Sequence, residues 1–185
     1  MSSTESLRKD HFLIEKMMRA LNTTAELLKA GKSIPAPVLE QAIDFAKNFT
    51  NACHHGKEET SLFPTLQKNG MPREGGPIAR MLFEHEITKQ LAEKMDASSK
   101  AYIQTNDAST LIADILTYTD HVSSHLSKEN FRLFMMADMI LSGKAAQMNK
   151  ELADVEEAKL KDLGKTRGHY EQLVNDFEAE MTRKA

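Results

Sequence analysis

Residues 54–63 read His-His-Gly-Lys-Glu-Glu-Thr-Ser-Leu-Phe, and residues 125–134 read His-Leu-Ser-Lys-Glu-Asn-Phe-Arg-Leu-Phe. Both stretches follow the pattern H-x-x-K-E-x-x-x-L-F, so the chain carries one short motif twice. In an α-helix, residues four positions apart lie about 40° from each other on one face. Each motif can therefore aim a histidine and a glutamate at one point. The pairs are His54 with Glu58 and His125 with Glu129.

Apolar residues around these motifs recur with the 3.6-residue period of a helix, which predicts four amphipathic helices. The first ends before Gly31, and the second runs from near Val38 until Pro64 kinks or ends it. The third begins at Pro77, and the fourth covers about residues 107–141. Short connections between them predict an all-α fold, an antiparallel up-down four-helix bundle. In such a bundle the two motifs lie on helices of the same direction and can face each other.

Two local expectations concern the ends of these helices. Ser2-Ser3-Thr4-Glu5 is typical of a capping box, with Ser2 as the cap and Glu5 as its reciprocal partner. Residues 97–106 are polar, which predicts a connection between the third and fourth helices.

The end of the chain differs in composition from the bundle. Residues 144–185 are highly charged, and Gly164 and Gly168 are expected to divide them into two helical pieces. A weaker apolar stripe runs through Tyr170, Val174, Phe177 and Met181. We therefore expect a metal-binding bundle domain at residues 1–143 and a charged helical C-terminal extension at 144–185. The extension is predicted to pack on the bundle as a hairpin, and the alternative is a helix for dimerisation or partner docking.

Composition excludes several classes of function. The formal net charge of the 185 residues is −3, which gives no reason to expect nucleic acid or an anionic membrane as a partner. The start, MSSTESLRKD, lacks the apolar core of a secretory signal, and no apolar run approaches the ~18 residues of a membrane span. The single cysteine, Cys53, cannot form an internal disulfide. These features predict a cytoplasmic protein.

Histidines also lie on the apolar stripes of the other two helices, at His11 and His85. A lone histidine on an apolar face is usually a core residue, but here four helices each offer one, and two add a glutamate. Imidazole with carboxylate suits iron, zinc or manganese, whereas calcium and magnesium prefer oxygen ligands alone. Two buried carboxylates facing each other without a cation would be costly. The set therefore predicts a metal site. The Glu-x-x-His pair of ferritin-like di-iron bundles is absent from the sequence.

These residues resemble the hemerythrin-like, or HHE cation-binding, family over about residues 5–142. The segments that carry the resemblance are Asp10-His11, His54 to Glu59 with Leu62-Phe63-Pro64, Glu84-His85-Glu86, and His125 to Glu129 with Leu133-Phe134. The resemblance implies a non-haem centre of two iron ions, bridged by carboxylates and an oxygen species. The ligands it implies are His11, His54, Glu58, His85, His125 and Glu129.

The chain departs from the oxygen carriers of this family in the third helix. Those carriers bear two ligand histidines four residues apart, whereas Lys89 stands four residues after His85 here. A seventh ligand must come from elsewhere, or one position stays open. His55 and His121 are both candidates, and the alternative for each is a histidine that supports another ligand or lies at the surface.

Four further residues of polar or thiol type lie near the candidate ligands, and none is the preferred ligand. Glu15 and Glu59 stand four residues after His11 and His55, and both are expected to be exposed or to support a ligand. Tyr118 is expected to be an ordinary core aromatic, and the alternative is a hydrogen-bond donor near the metals. Cys53 points away from the side of His54 and is interpreted as a small buried residue.

Two classes of function fit a di-iron bundle. The first is a module that binds, stores or senses O₂, with the helices keeping water out. The second is an enzyme acting on peroxide or nitric oxide, or an iron donor for iron–sulfur cluster repair. The expected partner is thus O₂, another small diatomic molecule or peroxide. The sequence leaves a homodimer open.

Overall fold

The computed structural model describes residues 2–185, and within them the chain forms helices and no strand. The all-α prediction is confirmed. None of these helices is long and apolar enough to cross a bilayer. We number the helices α1 (Glu5–Lys29), α2 (36–68), α3 (Pro77–Thr105), α4 (109–140), α5 (Ala145–Asp162) and α6 (Arg167–Lys184).

Contacts between α1 and α4 show that these two helices are antiparallel. Near the end of α1, the Thr119 hydroxyl donates to Asn22 Oδ1 at 2.8 Å. At its beginning, the backbone N–H of Ser3 donates to Asp138 Oδ1 at 2.7 Å. Residue numbers on α4 therefore rise as those on α1 fall.

The same opposition holds for the other neighbours. Between α2 and α3, Glu59 contacts His85 while Lys47 contacts Asp96, so the two helices run in opposite directions. Between α3 and α4, Lys128 donates to Glu84 and His121 lies 3.1 Å from Thr88 Oγ1. The bundle is thus up-down, and α2 and α4 share one direction.

Both motif-bearing helices change their hydrogen-bonding pattern where the motif lies. In α2, π-helical segments cover Phe45–His55 and Glu58–Leu62, and in α4 one covers Glu129–Leu133. A π-type bond spans five residues instead of four, and π-helical turns inside α-helices are frequent at functional sites. The side chains of the motif are therefore turned relative to the regular period used for prediction.

The core consists of two apolar clusters with the motif residues between them. On α4, Leu126 belongs to the larger cluster and Leu133 to the smaller one, and Glu129 lies between the two. On α1, Leu7 belongs to the smaller cluster and Leu13 to the larger, on either side of His11. The predicted ligands thus occupy a polar layer enclosed by apolar ones.

The last two helices pack on the bundle beside α1 and α2. The ring of Tyr170 lies 5.2 Å from that of Phe49, and Lys16 donates to Asn175 at 2.7 Å. Tyr170 and its apolar neighbours on α6 belong to the larger core cluster. The extension is therefore a helical hairpin with its own share of the core, while the domain division at residue 143 stays a prediction.

Two expectations about helix ends were wrong. Helix α3 continues to Thr105, because Ser98, Ser99 and Tyr102 face the core and the Tyr102 hydroxyl accepts from the backbone N–H of Ile34. Ser2 does not cap α1, which has Thr4 at its N-cap. The Ser2 hydroxyl instead donates to Asp138 at 2.9 Å.

Two residues predicted as helix breakers do not end their helices. Pro64 does not end α2, which continues to Lys68, because Pro64 lies in the first turn of the α-helical segment Phe63–Lys68, where a missing N–H costs least. The alternative, that Pro64 kinks the helix, stays a prediction. Gly168 lies inside α6 and does not interrupt it. Only Gly164, with φ of +64°, ends a helix of the extension as predicted.

Candidate metal centre

The structure brings seven of the eight predicted ligands together, and all seven are buried. They form two groups in which one ligand atom of each residue lies within 4.8 Å of the others. The three-histidine group consists of His55, Glu58, His85 and His125. The two-histidine group consists of His11, His54, Glu58 and Glu129. Because Glu58 belongs to both, the groups are adjacent.

His121 is the predicted ligand that the structure leaves outside both groups. Its Nε2 lies 3.1 Å from the carbonyl oxygen of Glu84 and 3.1 Å from Thr88 Oγ1. A carbonyl oxygen only accepts, so Nε2 donates to it and is engaged away from the groups. Burial lowers the pKa of His121.

His55 is the candidate that does lie in a group. Its ring stacks on that of His85, with centroids 3.8 Å apart and planes 9° from parallel. Burial, reinforced by the neighbouring His85 and His125, lowers the pKa of His55 well below its ordinary value, so the ring is neutral. Its Nε2 has no hydrogen-bond partner. Lys89, by contrast, is exposed.

Four of the clustered histidines use Nδ1 for a hydrogen bond to a side-chain oxygen. The pairs are His11 with Asn130 at 2.9 Å, His54 with Asp10 at 3.1 Å, His85 with Glu59 at 2.8 Å, and His125 with Glu84 at 3.1 Å. Carboxylate and amide oxygens only accept, so each of these rings carries a proton on Nδ1, and Nε2 is the atom that can bind a metal. Such partners fix the orientation of metal-binding histidines.

These supporting contacts occur in both halves of the bundle, one half being α1 with α2 and the other α3 with α4. Asp10 directly precedes His11 and accepts from His54, and Glu84 directly precedes His85 and accepts from His125. Sequence reasoning did not assign a role to Asp10 or Glu84. An acid followed by histidine occurs on α1 and α3 but also at Asp120-His121 on α4, so this dipeptide alone does not single out Asp10 and Glu84.

The lysine of each motif binds the carboxylate that accepts from a histidine in the same half of the bundle. Lys57 contacts Asp10, and Lys128 donates to Glu84 at 2.6 Å. Burial alone would raise the pKa of Asp10, but the charge of Lys57 together with His54 and Arg167 holds it well below its ordinary value. Sequence reasoning also missed these lysines, although the motif repeats them.

The phenylalanine that ends each motif covers a histidine from another helix. The Phe63 ring stacks on His85 with centroids 5.7 Å apart, and the Phe134 ring stacks on His11 at 4.9 Å. The repeat thus supplies ligand, supporting cation and apolar cover at matching positions in both halves. Among the variable positions of the motif, one changes a histidine of the groups, because the first motif has His55 where the second has Leu126.

The glutamates of the two motifs lack hydrogen bonds inside the bundle. Both oxygens of Glu58 and both oxygens of Glu129 are buried without a hydrogen-bond partner. Glu129 turns Oε2 to within 3.2 Å of His11 Nε2 and Oε1 to within 3.3 Å of His125 Nε2. Its two oxygens therefore face different groups.

The donor atoms fit metal cations. His11 Nε2 lies 3.2 Å from His54 Nε2 and 3.2 Å from Glu129 Oε2, so the three atoms are close enough to share one cation. Burial acts to lower the pKa values of His11 and His85, yet Glu129 and Glu58 outweigh it and raise both. The polar layer thus attracts positive charge, either protons or metal ions.

Four other residues near the predicted ligands lie outside the groups. Tyr118 is buried in the larger core cluster, and burial raises its pKa. Cys53 is a buried free cysteine, and burial raises its pKa to about 12, so it stays a thiol. Glu15 is half-buried, and Glu59 is partly exposed and supports His85.

A comparison with protein families agrees with this geometry. Residues 2–137 match the hemerythrin HHE cation-binding domain. The chain belongs to this family. The match covers α1, α2, α3 and α4 as far as residue 137, and it includes every residue of both groups. Metal binding is therefore the general property of the centre.

Comparison with individual proteins adds no function. Uncharacterised proteins of Mycobacterium bovis (strain ATCC BAA-935 / AF2122/97) and of Mycobacterium tuberculosis (strains CDC 1551 / Oshkosh and ATCC 25618 / H37Rv) are each 20% identical over 166 residues. The matched region is 88% of this chain and 64% of each relative, so the chain spans less than two thirds of their length. No solved structure matches the chain significantly.

Proposed function

We propose that this hemerythrin-family chain holds two iron ions and uses them to bind O₂, for storage or sensing. The observation that carries the proposal is the unequal donor sets of the two groups. One contains three histidines and the other two, although the motif around them is repeated. A metal pair with one fully ligated ion and one ion short of a ligand is suited to taking up a small molecule.

Two ions are proposed because the donors are too many and too spread for one. Seven residues contribute nitrogen and oxygen, whereas a tetrahedral site takes four ligands. Glu58 belongs to both groups, and the two oxygens of Glu129 face different groups. We assign Glu58 and Glu129 as the carboxylates that bridge the ions. The histidines are assigned as terminal ligands.

The open position is assigned to the two-histidine group. His11 and His54 with carboxylates resemble the set of two histidines and a carboxylate that leaves positions open in non-haem iron oxygenases. The repeat places Leu126 where a third histidine would stand, and that side chain is buried. An apolar neighbour at this point suits an uncharged ligand such as O₂ and disfavours water.

The bundle contributes orientation and exclusion of solvent. When bound, a pair of ferrous ions supplies the electrons that O₂ uptake requires. Asp10, Glu84, Asn130 and Glu59 hold the rings in place through Nδ1. The apolar clusters on either side of the polar layer limit the access of bulk water to the two-histidine group. We further propose a cytoplasmic setting, because the free thiol of Cys53 suits a reducing compartment.

The test is anaerobic loading of the apoprotein with ferrous iron, followed by elemental analysis and absorption spectra before and after O₂. We expect two ions per chain, a new charge-transfer band with O₂, and loss of that band when O₂ is removed. One ion or fewer per chain would reject the di-iron proposal. A band that never reverses would reject reversible O₂ binding.

A second candidate, an enzyme acting on peroxide or nitric oxide, is favoured by one observation. An open surface cavity of about 410 Å³ between α2 and α3 is lined by His55 and His85 of the three-histidine group and by Glu59 and Lys89. It offers polar molecules a route toward the ions, and it equally offers iron a way out to a recipient, as an iron donor for cluster repair would need. Turnover of peroxide or nitric oxide by the loaded protein, without a stable O₂ complex, would favour the enzyme.

A further inference from the structure

One carboxylate joins the metal centre to the C-terminal hairpin. Asp10 accepts a hydrogen bond from His54 Nδ1 on Oδ2, at 3.1 Å. Its other oxygen, Oδ1, accepts from Arg167 Nη1 at 2.7 Å. Arg167 is the first residue of α6, so a side chain of the extension touches the residue that orients a histidine of the two-histidine group.

The first helix of the hairpin, α5, joins the same network. Lys57 is completely buried and contacts both Asp10 and Glu156 of α5. Arg167 also binds Glu156, at 3.1 Å. Two positive and two negative side chains thus balance each other, and the hairpin supplies one of each sign. Of the three contacts of Asp10, with His54, Lys57 and Arg167, the last exists only while the hairpin is in place.

The other half of the bundle builds the same support without the hairpin. Glu84, the counterpart of Asp10, binds Lys128 of α4 and Arg80 of α3. Arg80 thus binds Glu84 as Arg167 binds Asp10, but Arg80 belongs to the bundle. The Arg80 side chain is 63% exposed, whereas that of Arg167 is 28% exposed. Of the two supporting carboxylates, Asp10 is therefore the one whose charged partners include residues of the extension.

We propose that the α5–α6 hairpin controls the ion of the two-histidine group, with Arg167 and Glu156 as positioning residues that act on His54 through Asp10. This inference rests on the proposed metal pair. Loss of Arg167 leaves the buried Oδ1 of Asp10 without its partner, so that Lys57 alone of the two cations holds the carboxylate beside His54. Loss of such a supporting contact typically lowers metal affinity about 10–100-fold.

The contacts also predict which ion is affected when the hairpin moves. A molecule that binds the hairpin and draws Arg167 or Glu156 away would weaken one ion without touching a ligand. The proposed open position lies in the same group, so the hairpin would adjust the reactive ion and leave the three-histidine ion unchanged.

The experiment compares Arg167→Gln with its counterpart Arg80→Gln in the full chain. Each anaerobic apoprotein is titrated with ferrous iron alone, and a competing chelator then measures how fast each ion is removed. We expect Arg167→Gln to retain one ion with the affinity of the unaltered protein and to bind the other about 10–100-fold more weakly. Arg80→Gln should spare that second ion. Arg167→Lys, which keeps the charge, should restore part of the affinity.

Two results would overturn the inference. One is an Arg167→Gln protein that binds both ions like the unaltered chain, and the other is equal weakening of both ions. If Arg167→Gln fails to fold by circular dichroism, Glu156→Gln is judged by the same outcomes. The proposed function fails separately, when the unaltered chain itself holds fewer than two ions.

Discussion

Leu126 occupies in the second motif the position that His55 occupies in the first, and both side chains are buried. The motif otherwise repeats its ligands, its lysine and its covering phenylalanine. This one difference makes the donor sets unequal and leads to the first prediction.

Leu126→His should supply the two-histidine group with a third histidine. We expect the variant to hold two ions per chain and to lose the spectral change with O₂, because the added ring takes the open position. Leu126→Met is the control, since it keeps the volume and stays apolar. An O₂ response in Leu126→His equal to that of the control would contradict the assignment of the open position.

The seventh ligand is tested by removing each candidate histidine. His55→Ala should lower the iron content and change the charge-transfer band, because its free Nε2 lies in the three-histidine group. His121→Ala should leave both unchanged, because its Nε2 is engaged by Glu84 and Thr88. Elemental analysis and absorption spectra of the two proteins decide between them. The reverse pattern would make His121 the ligand.

Bridging and terminal ligands should differ in how many ions they hold. Glu58→Ala is expected to cost both ions, since Glu58 belongs to both groups, whereas His85→Ala should cost mainly one. Iron per chain, measured after anaerobic loading, distinguishes these cases. Full occupancy in Glu58→Ala together with loss of both ions in His85→Ala would show that the roles are exchanged.

Metal removal should destabilise the fold. A ligand at a thousand times its dissociation constant stabilises the native state by about 4 kcal/mol. For a chain of this size each kcal/mol shifts Tm by roughly 2–4 °C. We therefore expect chelation to lower Tm by about 10 °C in a thermal scan. An unchanged Tm would mean that Glu58 and Glu129 are satisfied without a cation.

The two motif lysines offer a matched pair for stability. Lys57→Ala should cost about 3–5 kcal/mol of unfolding free energy, because it leaves buried Asp10 and Glu156 short of a cation. Lys128→Ala should cost about 1 kcal/mol or less, because the Lys128 side chain is 32% exposed and water can replace it. Urea unfolding of both apoproteins measures the difference. Equal losses would show that the Lys57 network contributes no more than a surface ion pair.

The sequence was sufficient for features that depend on local spacing. Four amphipathic periods predicted the bundle, and the spacing of His54 and Glu58 predicted a shared face. Features that depend on distant partners were not predictable in this way. The contact of Arg167 with Asp10 joins the two ends of the chain, and polar Ser98 becomes a core residue only because of what α3 packs against. The π-helical segments were also missed, since an apolar period does not reveal the hydrogen-bond pattern.

The two ligand groups connect parts of the chain that are far apart in sequence. Their residues come from α1, α2, α3 and α4, so two bound ions would tie together points as far apart in sequence as His11 and Glu129. Closing long loops removes entropy from the unfolded chain, as a disulfide does. With a single cysteine this chain has no internal disulfide, and its metals would serve as reversible cross-links that exist only while iron is available.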